Sequence, residues 1–239
     1  MSLSKVFPGY AVHLDFHTMP GIYDVGRDFN AKEFSETLAG AGVRFITVFA
    51  RCNIGFAYYK TKIGVVHPGL KFDLLGSMVA ACHSEGIKVA AYFNAGLSHE
   101  EALHHREWCK VNSSGQVYEL KRRGHWFRRM CLNTGYGEHL LSMIGEVIEQ
   151  YPVDGIFLDG PGKTACYGVE CLEGMKKSGI DVFDEQQVSA FAQKSAMKFL
   201  NKVEKLARRN ERKLFLQYNG VPFRSQPTHC EIEVLPNGE

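Results

Sequence analysis

With 239 residues, 45% apolar and 23% charged, the chain is long enough for one α/β barrel or two small domains and has the composition of an ordinary globular protein. A net charge of +2 gives no field that would favour nucleic acid or a membrane surface. There is no apolar run of about 18 residues to cross a bilayer. The opening MSLSKVFPGY has no apolar signal core, so a cytoplasmic location is expected, the native start being left open.

From Ala11 the sequence AVHLDFHTMP alternates. It sets His13, Asp15 and His17 on one face of a strand and Val12, Leu14 and Phe16 on the other. H-x-D-x-H spacing suits metal ligation, but metal hydrolases draw further ligands from later strand ends, and no second such cluster follows. A polar, hydrogen-bonded barrel interior is the stronger reading. A metal-dependent hydrolase stands as an alternative, and no cofactor is expected.

Asn30 can cap a helix over Ala31–Ala41 that Gly42 closes, and Val43–Arg51 reads as a second strand. The long loop that follows carries Asn53, Tyr58, Tyr59 and His67, and a loop of that length is usually functional when ordered. A helix over roughly Asp73–Glu85 ends at Gly86. IKVAAYFNAG then forms a third strand with Tyr92 and Asn94 on one face. Ser98 and Glu101 read as a capping box. Val111–Met130 is an excursion, a hairpin turning at Ser113-Ser114-Gly115, with basic residues around Trp126. With the charge near neutral, a loop offering one or two ligand contacts outweighs a nucleic-acid surface.

A helix over Gly137–Gln150 leads to YPVDGIFLDGPG, Tyr151–Gly162. Gly and Pro bracket a strand of about five residues there, with Phe157 and Asp159 on one face. A carboxylate at the C-terminal end of a buried strand is costly unless used, and in (β/α)₈ barrels catalytic groups sit at that end. The competing reading is an Asp-Gly turn that merely ends the strand. Pro161–Ser178 is a loop with a short helix, and Asp184 caps a long amphipathic helix to about Arg209. KLFLQYNG is a fifth strand with Gln217 and Asn219 on one face. In THCEIEVLP, the sixth, His229, Glu231 and Glu233 alternate with Cys230, Ile232 and Val234. The expected fold is therefore α/β, a (β/α)₈ TIM-barrel-like single domain over residues 1–239 with about six βα units, an incomplete barrel.

Seven cysteines without a tight framework suggest reduced thiols. Cys166 and Cys171 are too far apart for a CxxC knuckle, and a structural metal that joins them with Cys131 or a histidine is the lesser reading.

The strand ends gather His17, Arg51, Asn94, Asp159, Asn219 and Glu233, with Glu231 one layer deeper. Two carboxylates among amides and histidines suit glycoside hydrolysis, one as nucleophile or base and the other as acid. Tyr58, Tyr59, Tyr92 and Trp126 offer faces for sugar rings, and His13, Asp15, Asn53 and His67 further polar contacts. The partner expected is a carbohydrate substrate, with no nucleic acid and no membrane; a homo-oligomer is left open. A non-catalytic carbohydrate-binding barrel is the rival from another class.

HLDFHT, FARCNIGFAYYKTKIGVVHPGLKFDLLG, HREW, VDGIFLDGPG and EIEVLPNG together resemble the glycoside hydrolases related to α-L-fucosidases, glycoside hydrolase family 29. The resemblance runs from about residue 10 to the end. It implies a retaining mechanism with Asp159 as nucleophile, Glu231 or Glu233 as candidate acid/base, and further strands beyond EIEVLPNG. Where fucosidases read roughly K-H-H-D-G-F this chain has Arg51-Cys52-Asn53-Ile54-Gly55-Phe56, so the two sugar-binding histidines of that motif are absent.

Overall fold

The computed structural model describes residues 10–118, 127–162, 164–209 and 213–219 and the strand backbone of 229–231. In chain order the first half runs β1 (Ala11–His13), α1 (Ala31–Gly40), β2 (Phe45–Arg51), β3 (Phe56–Ala57), β4 (Val65–Val66), α2 (Leu74–Ser84), β5 (Lys88–Asn94), β6 (Leu97–Ser98) and α3 (Glu100–His104). The second half runs β7 (Arg128–Arg129), α4 (Gly135–Gln150), β8 (Gly155–Asp159), α5 (Val169–Lys177), α6 (Glu185–Arg209), β9 (Phe215–Asn219) and β10 (His229–Glu231).

Six strands form a parallel sheet in the order β1-β2-β5-β8-β9-β10, so spatial order follows chain order, as in a βα barrel. Among the described residues the sheet does not close into a barrel. β2 is buried at every position because parallel sheets are covered on both faces, which is why its sequence is a nearly unbroken apolar run.

Helix starts follow the capping chemistry. Asn30 accepts from the amides of Lys32 and Glu33, and Asp184 from those of Gln186 and Gln187. Gly42 has φ +78°, the left-handed residue that ends α1. The hairpin expected near 113–115 is present. Val111 bridges Val117, and the Asn112 carboxamide accepts from the amides of Ser114 and Gln116.

Three boundaries differ from expectation. β1 stops at His13, although the amide of Leu14 still reaches the Thr47 carbonyl at 3.1 Å. Ser98 lies in β6, paired antiparallel with β7, and the N-cap position of α3 is His99, although the Ser98 hydroxyl still accepts from the Glu101 amide at 3.2 Å. α4 starts two residues early because the Thr134 hydroxyl accepts from the amide of Tyr136.

The long loop after β2 is ordered and works as a buttress. β3 folds back antiparallel on the end of β2, pairing Arg51 with Ala57. From α4, Glu146 accepts from the Thr61 hydroxyl at 2.6 Å, the Lys62 amide at 2.8 Å and the Tyr59 hydroxyl at 3.0 Å. One carboxylate thus fixes the far turn of the loop.

Candidate active site

Three adjacent strand ends come level at one layer. Asn94 on β5 is the register partner of Asp159 on β8, which in turn pairs with Asn219 on β9. Parallel pairing in register turns their side chains to the same face. Asp159 accepts from the Tyr92 hydroxyl at 2.6 Å and the Asn94 amide at 2.7 Å on Oδ2, and from the Asn219 amide at 2.9 Å on Oδ1. Both oxygens accept and every donor is neutral, an arrangement that suits an ionised carboxylate.

The orientation of the Asn94 amide follows from its surroundings. Its Oδ1 accepts from the amides of Gly96 and Leu97 at 3.1 and 2.8 Å, so Nδ2 is the end that faces Asp159. Gly96 is required here because a Cβ would stand 2.3 Å from the Gly160 carbonyl. Burial pushes the Tyr92 hydroxyl far up, and the neighbouring Asp159 pushes it further, so it stays protonated and donates.

One layer deeper an aromatic ladder crosses the sheet, with Phe49 stacked on Tyr92 at 4.0 Å and Tyr92 on Phe157 at 5.4 Å. The His13 ring meets Phe157 edge-on at 4.9 Å. His17 lies against Phe49 at 4.7 Å. Its Nδ1 accepts from the backbone N–H of Asn53 and its Nε2 faces Asp15 Oδ1 at 3.3 Å. The H-x-D-x-H side chains are thus divided between the aromatic layer and the rim, and the ligand cluster imagined for them does not form.

Four expected contact residues serve the scaffold instead. Arg51 is 0% exposed, and its guanidinium grips Glu101 at 2.8 and 3.2 Å and the Asn94 carbonyl at 2.6 Å. The Tyr58 hydroxyl donates to the Phe16 carbonyl and accepts from the Thr18 amide. Tyr59 points the other way, to Glu146. His67 takes the Gly69 amide on Nδ1 and meets the carbonyls of Thr18 and Met19 with Nε2, and burial lowers its pKa. Asn53 is buried too, and its Oδ1 finds no partner among the described residues.

Glu231 occupies the register position beside Asn219, two strands from Asp159 in the same layer. Trp126 and Glu233 lie outside the described residues. Sequence reasoning missed Glu101 as the partner of Arg51. The available signal was the arginine itself, since a cation ending a buried, nearly all-apolar strand needs a buried carboxylate.

The family described as hypothetical glycosyl hydrolase 6 matches residues 30–160, more than half of the chain. The chain belongs to this family. As a hypothetical glycosyl hydrolase 6 member it is similar to α-L-fucosidase isoenzyme 2 from Paenibacillus thiaminolyticus, with a TM-score of 0.82 and 32% identity over 89% of this chain and 32% of that one. The PgaB (BpsB) glycoside hydrolase domain from Bordetella bronchiseptica shares the fold at TM-score 0.65 and 14% identity, covering 87% and 64%. The β-galactosidase from Marinomonas ef1 does so at 0.63 and 13%, covering 90% and 38%. No curated protein sequence matches. This family member spans about a third of the length of the Paenibacillus enzyme.

Proposed function

We propose that the protein is a retaining glycoside hydrolase of α-L-fucosidase-like character, with Asp159 as the nucleophile. The observation that carries this reading is a strand-end carboxylate held by three neutral donors, Tyr92, Asn94 and Asn219. Membership of a glycosyl hydrolase family and the 32% identity to an α-L-fucosidase support it.

In this reading Asp159 attacks the anomeric carbon while a second carboxyl protonates the leaving oxygen. Water then hydrolyses the glycosyl-enzyme, with that carboxyl acting as base. Glu231 and Glu233 are the candidates for it. Tyr92, Asn94 and Asn219 aim the nucleophile. Because none of the three is itself charged, less attraction is given up as charge leaves Asp159 than a paired cation would lose. In this reading Asp15 and His17, at the rim above the aromatic layer, are candidates to contact sugar hydroxyls.

A 2-deoxy-2-fluoro glycosyl fluoride should trap the intermediate. Mass spectrometry is expected to find one glycosyl adduct on the peptide containing Asp159. A screen of such reagents that leaves the protein unmodified while it still turns over a nitrophenyl glycoside would refute the retaining mechanism; binding without turnover or adduct would instead favour a carbohydrate-binding module. Tyr92→Phe removes one hydrogen bond to a charged oxygen and should lower kcat/KM about 10- to 100-fold, with a circular dichroism spectrum like the parent's.

A further inference from the structure

Away from Asp159's layer, a small second cluster packs the turn before α4 and the loop before α5 against α5 and α6, and it contains three cysteines. Cys131 lies in the turn entering α4, Cys166 in the loop between β8 and α5, and Cys171 in the first turns of α5. All three are buried, and their Sγ atoms lie within 4.8 Å of one another. Cys131 and Cys171 are 3.5 Å apart, sulfur to sulfur. A disulfide needs about 2.05 Å, whereas two thiolates at about 2.3 Å from one tetrahedral zinc stand about 3.8 Å apart. The Cys131–Cys171 spacing is close to what an ion would impose, and Cys166 lies near enough to join them.

Two further observations point into the same spot. A cavity of about 20 Å³ is lined by Lys110, Asn133, Thr164 and the three cysteines, among others. That is room for one water-sized body. Lys110 is only 9% exposed, and its ammonium donates to the carbonyls of Thr164 at 2.8 Å and Gly162 at 3.4 Å. Among the described residues no carboxylate lies within ion-pair distance of it. A buried cation without counter-charge is costly. Three thiolates around a divalent ion carry a net charge of −1 and would supply it.

We propose that Cys131, Cys166 and Cys171 bind one zinc ion, with a water in the fourth position and Lys110 as the counter-charge. Soft thiolates select zinc over the harder divalent ions, and binding releases the three thiol protons. The ion staples the loop that follows Asp159 to the starts of α4 and α5. Its role is structural and independent of whether Asp159 is a nucleophile.

The test is elemental analysis of the full chain purified without chelator. About one zinc per chain is expected. Cys166→Ser should lower that at least tenfold, while Cys82→Ala, in α2, should leave it unchanged. Should the serine variant fail to fold, the parent chain is stripped with chelator and titrated with Co²⁺. An intense sulfur-to-cobalt charge-transfer band saturating at one equivalent supports the site. Metal-free protein that gives no such band, or a mass two hydrogens low from a Cys131–Cys171 disulfide, overturns it.

Discussion

Asp159→Asn is expected to lower kcat for a nitrophenyl glycoside substrate by about 10⁴-fold or more, since an amide cannot form the glycosyl ester. The fold should survive, because the variant's amide can be accommodated. The donors on the Oδ2 side are fixed, as the amide of Asn94 is locked by the backbone amides of Gly96 and Leu97. The new carboxamide oxygen must therefore take that side, which leaves its NH₂ facing Asn219. Rotation of the Asn219 amide would turn an oxygen toward it and restore the bond. The stability lost should be about 1 kcal/mol, as for one rearranged hydrogen bond. Denaturant unfolding with an unchanged m-value checks this. Activity within tenfold of the parent would remove Asp159 from the mechanism.

The largest expected loss of stability comes from Glu101→Gln. Glu101 is 5% exposed and holds Arg51 through two bonds; Ser98 donates to it and His139 stands 3.4 Å away. Burial alone would raise its pKa, but Arg51, His139 and Ser98 outweigh burial and hold the carboxyl at about 2, against 4.5 for the free group. Glutamine would keep the shape and leave the guanidinium without a counter-charge. We expect a loss of about 3–5 kcal/mol and a Tm lower by roughly 10 °C.

The same pair sets an acid limb. Between pH 4.5 and about 2 the unfolded chain binds a proton at Glu101 that the folded chain refuses. Its contribution, on the order of 3 kcal/mol, is complete above pH 4.5 and is lost as pH falls toward 2. Denaturation curves at a series of pH values should show a shallower acid limb in the glutamine variant. A parallel limb would assign the acid sensitivity to other carboxyls.

Much of this architecture was legible before any coordinates. Alternation in HLDFHT separated His13 and Asp15 from Val12 and Leu14, and the Gly and Pro around Ile156–Leu158 bracketed β8 to its observed bounds. The parity of Tyr92 with Asn94 and of Gln217 with Asn219 was legible along each strand, and register then brought the two asparagines level with Asp159 and left Tyr92 one layer below. Burial of amphipathic rings was not legible. Tyr58, Tyr59 and His67 have polar tips that serve a ligand or a backbone carbonyl equally well, and only tertiary packing decides which. Arg51 and Glu101 are fifty residues apart, and local pattern spends Glu101 on a capping box with Ser98. That reading caught the Ser98 contact, since the Glu101 amide does reach the serine hydroxyl, but could not see across to β2. The thiol cluster was half legible. The cysteines were suspects, but their convergence depends on how the loop after β8 folds back on the entrance to α4.

The choice of an amide at position 94 has an evolutionary corollary. Aspartate is one base change from asparagine, and the two backbone amides at Gly96 and Leu97 would receive it well. Yet its second oxygen would then sit against that of Asp159, where two carboxylates cannot both ionise and must divide one proton. Protein lineages that kept such a substitution would carry a centre whose charge rises and falls with acidity, in the manner of aspartic proteases, and under the proposed mechanism selection for a constant nucleophile should purge it.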